Sequence, residues 1–186
     1  MEMAVASVAA ELARGINRSA ITPAMKLLPA RMDTLTARVV MVAISGQEAD
    51  FRHRWQVIDP GRPDVRGPAR GLWQFERGGG VRGVLLHPQC AAAAAQLCSA
   101  RGVAPDAAAV HAALAGDDVL AAGFARLLLW SDPAPLPAVG DAGAAWQLYL
   151  RTWRPGAYTD GTPAARVRLR GKWTGYYATA REALTG

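Results

Sequence analysis

The sequence predicts one compact, mostly helical domain. Its 186 residues can bury a proper core, and 51% of them are apolar, six tryptophans included. Alanine and leucine are abundant while β-branched residues are sparse, which favours helix. Proline, glycine and capping residues punctuate apolar segments whose spacing is helical.

Residues 3–16 suit a first amphipathic helix. In "TPAMKLL" (22–28), Thr22 reads as an N-cap, Pro23 as the first helical position and Pro29 as the stop. Asp33 then caps "TLTARVVMVAISGQE", where Leu35, Val39, Val42 and Ile44 recur at near-helical spacing and Glu48 falls at the end. Residues 52–70 read as a loop rich in Pro and Gly, "GLWQF" (71–75) as a short extended piece and "GGGVRG" (78–83) as a flexible turn that could form a mobile lip. Pro88 opens an Ala-rich helix to about Arg101, and Pro105 another to about Ala115. Asp117 or Asp118 caps "VLAAGFARLLLW", and residues 131–140 form a connector with three prolines. Asp141 starts a helix that Pro155 and Gly156 end, and Thr162–Pro163 begins a Gly-interrupted helical region to about Leu184. Within the single domain, residues 1–32 read as an N-terminal helical extension, 33–156 as the core and 157–186 as a basic C-terminal helical region.

The net charge of +6 is unevenly spread. Residues 51–86 carry seven basic and three acidic side chains, residues 87–150 two and five, and residues 151–186 seven and two. Nearly all the cations are Arg, whose forked donors suit carboxylate or phosphate. Such a surface fits nucleic acid, anionic lipid or a polyanionic cell wall, and charge alone ranks none of them. "RVRLRGKWTGYY" (166–177) interleaves Arg with aromatics, but no nucleic-acid-binding motif accompanies it, so nucleic acid is not the expected partner. Cys90 and Cys98 are too far apart on one helix for a disulfide and are expected to be free, packed thiols. His53, His87 and His111 are scattered, so no metal and no cofactor is expected. The first fifteen residues lack a basic start and Glu11 interrupts them, which reads poorly as a secretory signal. No apolar run approaches about 18–20 residues, so no membrane span is expected.

The candidate chemistry lies in two motifs. Gln47-Glu48-Ala49-Asp50-Phe51 ends the apolar helix, and Gly71-Leu72-Trp73-Gln74 follows a polar loop. Together they resemble the lysozyme-like superfamily, in the pattern of soluble lytic transglycosylases and goose-type lysozymes, which read Gln-Glu-Ser-x-Phe and Gly-Leu-Met-Gln. "AAWQLYLRTWRPG" (144–156) loosely matches a third element, an Ala-rich helix ending near a Tyr and a Pro-Gly. The stretch "GPARGLWQFERGGGVRGVLLHP" also resembles a group of phage and prophage proteins. The resemblance covers roughly residues 33–156. Ala49 stands where those families carry Ser, Trp73 where they carry Met, and Glu48 and Gly71 lie 23 residues apart, which enlarges the intervening loop.

The resemblance implies an α+β lysozyme-like fold with a substrate cleft. It also implies cleavage of the β-1,4 bond between N-acetylmuramic acid and N-acetylglucosamine, with Glu48 as general acid and then base. Such an acid must stay protonated near neutral pH, which apolar walls achieve by disfavouring the anion. Phe51, Leu72 and Trp73 are the candidate walls, and Gln74 a candidate substrate or backbone contact. Tyr149 sits at core-like spacing from Trp146 and Trp153, so it suits packing and cleft equally. Glu76 is a second carboxylate that would share Gln74's side of an extended strand. Asp50 and Asp59 read as solvated loop charges. The implied partner is peptidoglycan, reached through a holin-like pore or from within a phage particle. An inactive phage accessory protein of the same fold would share every motif.

Overall fold

A computed structural model describes residues 2–59, 61–62 and 64–186. Helix takes up 65% of the protein and strand 5%, in one compact domain. The helices are α1 (Glu2–Ile16), α2 (Thr22–Met25), α3 (Leu35–Ala49), α4 (Arg82–Leu86), α5 (Ala91–Ala100), α6 (Ala107–Ala113), α7 (Asp118–Trp130), α8 (Ala142–Trp153), α9 (Gly156–Thr159) and α10 (Pro163–Thr185). The strands are β1 (Trp55–Val57) and β2 (Arg66–Arg70).

α3 is the axis of the fold. Residues 39–47 are all buried, mostly apolar with Ser45 and Gln47 among them, as suits a helix surrounded by protein. α10 runs along it, bringing Trp173, Tyr177 and Ala180 into the core at helical spacing. The two helices approach closely at Gly46, where an added Cβ would lie 2.5 Å from the Tyr176 ring and 2.7 Å from that of Phe51. Side chains from residues 13–32 and from α10 join those of α3, α5, α7 and α8 in one core. Residues 13–32 and α10, from segments the sequence suggests as flanks, therefore contribute to that core.

The structure corrects several boundaries. α1 continues through a wide π turn (Asn17–Ile21) into α2, so Thr22 caps nothing. Pro23 has no N–H to complete a regular turn, and the backbone widens ahead of it. The Thr22 hydroxyl instead accepts from Arg38 at 2.8 Å. Thr34, not Asp33, caps α3, its hydroxyl accepting from the Ala37 N–H at 3.1 Å, while Asp33 pairs with Arg38. α10 passes uninterrupted through Gly171 and Gly175. Asp117, Asp141 and Thr162 do cap α7, α8 and α10.

The larger revision concerns residues 52–83. β1 and β2 pair antiparallel inside the supposed loop, Trp55 opposite Arg70. "GLWQ" is then a tight turn, not an extended piece. Arg70 and Phe75 exchange backbone hydrogen bonds of 3.0 and 2.8 Å, and the Gln74 N–H closes on Gly71 O at 2.9 Å. Gly71 has φ +75°, and a Cβ there would lie 2.8 Å from the Leu114 carbonyl oxygen, so only glycine fits. The "GGG" segment is likewise helical: a π turn (Arg77–Val81) leads into α4. Cys90 and Cys98 are free and buried, as expected, with the Cys90 thiol donating to Leu127 O.

Candidate functional site

A cleft of about 1110 Å³ opens beside the C-terminal end of α3. One wall comes from β1, β2 and the turn through Gly80, another from the end of α8 and the segment to Ala157, and Leu169 and Lys172 of α10 complete it. Glu48, the penultimate residue of α3, lines this cleft together with Gln74, Glu76 and Tyr149.

Glu48 is the site's most perturbed carboxyl. Its side chain keeps only a partial opening to the cleft, and burial pushes its pKa up to about 7. The Tyr149 hydroxyl donates to Glu48 Oε1 at 2.5 Å and opposes that rise, as does the Lys172 ammonium, while the like charge of Glu76 adds to it. Desolvation wins because the carboxyl is packed among protein atoms and receives one strong hydrogen bond instead of the several water would supply. Tyr149 is itself buried on α8 and stacks against Trp173, ring centroids 5.2 Å apart. It serves core and cleft together: its ring packs and its hydroxyl holds the carboxylate. Burial and the neighbouring Glu48 carboxylate keep the phenol protonated.

The two proposed aromatic walls are corrected. Trp73 is fully buried, its indole N–H donating to Met41 O at 2.9 Å. Its own carbonyl accepts from the Trp153 indole at 3.0 Å. Trp73 thus fastens the 71–74 turn onto α3 and does not face the cleft. Leu72 is buried with it. Phe51 turns back from the helix end and meets Tyr176 edge-on at 5.1 Å, closing the α3–α10 contact over Gly46. Neither Phe51 nor Trp73 lines the cleft, because the backbone that carries each one directs it into the core.

Gln74 does reach the cleft, at φ +49°. Its amide donates to His53 O at 3.1 Å and Gly71 O at 2.8 Å, tying the start of the hairpin to its end. Glu76 is exposed on the rim. Gln74 and Glu76 share the cleft but not a strand, since Gln74 belongs to the turn.

Several polar groups went unanticipated. Asp50 is not a loop charge. As the left-handed C-cap of α3 it accepts from the Tyr176 hydroxyl and lies 3.1 Å from Lys172 Nζ, which lower its pKa against the effect of burial. Lys172 also donates to Gln47 O at 3.4 Å. Arg151 pairs with Asp132 at 2.9 Å on the opposite wall. Asp59, by contrast, is a loop charge that holds Gly61 and Arg62. The signal for Lys172 and Tyr176 lay in α10, where they stand four residues apart beside the core series Trp173, Tyr177 and Ala180.

The chain matches no family model, no curated protein and no solved structure. Among the described residues, no three His, Cys, Asp or Glu side chains gather where they could hold a metal ion. No helix among them is long and apolar enough to cross a membrane.

Proposed function

We propose that the protein is a peptidoglycan-cleaving glycosidase of lysozyme or lytic transglycosylase type, acting on the bond between N-acetylmuramic acid and N-acetylglucosamine. One observation carries the reading. One carboxyl, held near pKa 7 by burial and oriented by a tyrosine, stands in a cleft of about 1110 Å³. The two motifs that resemble the lysozyme-like superfamily meet at that cleft: Glu48 and Gln74 both line it.

In this reading Tyr149 occupies Oε1 and leaves Oε2 of Glu48 to carry the transferable proton. The proton passes to the glycosidic oxygen as the bond from that oxygen to C1 of the muramoyl sugar breaks. Glu48, now a carboxylate steadied by Tyr149 and by Lys172, takes a proton back from the group that attacks C1. Water as that group leaves a reducing end. The sugar's own 6-hydroxyl leaves a 1,6-anhydro ring, and this route needs no second carboxylate. Glu76 is then a rim charge that helps hold Glu48 protonated. The protein would meet peptidoglycan through a holin-like pore or as part of a phage particle, and its excess of cations would favour an anionic wall.

Mass spectrometry of muropeptides released from purified peptidoglycan tests the proposal. Reducing or anhydro ends, differing by one water, are expected with the parent protein and absent with Glu48→Gln. No release from several wall types by the parent would refute it.

A further inference from the structure

Arg154 stands apart among the cleft's Arg and Lys side chains. Asp50 and Lys172 satisfy each other, as do Asp132 and Arg151, and Glu48 is held by Tyr149. Arg154 is exposed on the same cleft, and among the described residues its only hydrogen bond is Nε donating to Arg151 O at 3.3 Å. Both terminal NH₂ groups are without a partner among the described residues, and no carboxylate lies within ion-pair distance. A guanidinium in that state offers a two-pronged donor matched to a carboxylate.

The backbone adds a second observation. Arg154 ends α8 in the left-handed conformation, φ +46° and ψ +57°. A residue with a Cβ costs about 1–2 kcal/mol there, and the Pro155 that follows pushes its predecessor toward extended conformations. Glycine serves such helix ends more easily. The Nε–Arg151 O bond satisfies one carbonyl at the helix end, and the two terminal NH₂ groups play no part in it. Of the four non-glycine residues with positive φ among the described residues, three (Asp50, Gln74 and Arg154) line this one cleft, which concentrates backbone strain where a ligand would bind.

We propose that Arg154 is the specificity residue of the cleft, binding the free lactyl carboxylate of muramoyl residues that carry no stem peptide and so favouring peptide-free muramoyl-containing strands over neutral N-acetylglucosamine polymers. The inference rests on the glycosidase reading above. A glycan bearing carboxylates must enter a cleft that already holds Glu48 and the unpaired Glu76, and Arg154 supplies the opposing charge.

The test measures binding by calorimetry in a Glu48→Gln background, so that nothing turns over. The ligands are an N-acetylglucosamine hexamer and a peptide-free muramoyl-containing strand of similar length. A charged hydrogen-bonded contact predicts a preference for the carboxylated strand on the order of ten-fold or more. Adding Arg154→Gln should collapse the preference while leaving affinity for the neutral hexamer unchanged, which also reports that the fold is intact. Arg154→Gly, which relaxes the left-handed residue, should lose the preference as fully. Equal binding of the two glycans before Arg154 is changed, or a preference that survives both substitutions, overturns the proposal while leaving the glycosidase reading in place. An Arg154-dependent preference in a protein whose parent cleaves nothing supports the binding site and sinks the catalytic reading. Failure to bind either glycan overturns both.

Discussion

Replacing Glu48 by Gln separates a functional carboxyl from an ordinary helix-end charge, because the two readings predict opposite pairs of results. Gln preserves the shape of the side chain, and its carbonyl can still accept from Tyr149. What it lacks is a transferable proton and a charge. Loss of the proton should lower turnover by about 10²–10⁴. Stability should move the other way. The folded pKa of about 7 lies above the ordinary 4.5, so between those values the folded state binds more protons than the unfolded one. The carboxyl therefore costs nothing below about pH 4, costs increasingly as pH rises to 7, and costs a constant amount above that. At 1.36 kcal/mol per pH unit the full cost is about 3 kcal/mol, and about 2 once water reaching in through the cleft is allowed for.

Glu48→Gln should then melt higher than the parent by about 4–8 °C at pH 8 and by almost nothing at pH 4. The difference between the two proteins is the quantity to follow. Asp33, Asp50 and Asp132 have lowered pKa values and push the pH dependence of both the other way. Calorimetric melting at the two pH values, beside turbidity loss of a peptidoglycan suspension, reads both halves. Glu76→Gln is the control, expected to keep most activity. A melting difference that does not change with pH would refute the pKa argument. A dead Glu76→Gln beside an active Glu48→Gln would assign the chemistry to the wrong carboxyl.

Three further outcomes are expected. Tyr149→Phe removes the hydrogen bond that favours the Glu48 carboxylate, so Glu48 should hold its proton to higher pH and the alkaline limb of the pH–rate profile should move upward; an unmoved or lowered limb would contradict the assignment. Gly46→Ala forces a methyl against the Tyr176 and Phe51 rings and should destabilise the fold by about 1–3 kcal/mol, measured by urea denaturation, even though alanine is the better helix former. Burial raises the pKa of both thiols, that of Cys90 to about 11, so a thiol reagent at neutral pH should find none in the native protein and two after unfolding.

What could be read from the sequence divides along a physical line. Helices announced themselves through periodicity and caps, because both are local: Asp117, Asp141 and Thr162 cap the helices that follow them. The position of Glu48 at a helix end was legible for the same reason, while the cleft beside it was expected only from the motif resemblance. The direction of an aromatic ring was not. Phe51 and Trp73 flank motif residues and read as cleft walls, yet consecutive left-handed residues at Asp50 and Phe51 swing one ring onto α10, and the tight turn sends the other beneath α3. The hairpin at 55–70 was hidden too, since three- and five-residue strands with Pro68 in one of them carry too little alternation to outweigh loop composition. The pairing of Asp50 with Lys172 and Tyr176 joins residues more than 120 positions apart, which no local pattern encodes.

The buried helix-end carboxyl and the aromatic turn are mechanically one unit. Trp73 donates to the backbone of α3 at Met41, and Trp153 donates to the backbone of Trp73 from α8, which also carries Tyr149. The indoles therefore fix three elements against one another, and the Glu48–Tyr149 bond spans two of them. A carboxyl held out of water at a cost of a few kcal/mol persists only where its surroundings cannot relax to hydrate it. Here residues 39–47 of the helix that carries Glu48 are all buried, the tyrosine that orients it is stacked on Trp173, and the carboxyl keeps only a partial opening to the cleft. The same rigidity gives Trp73 its place in the turn: it sets the distance between Glu48 on α3 and the wall that Gln74 and Glu76 present to the cleft.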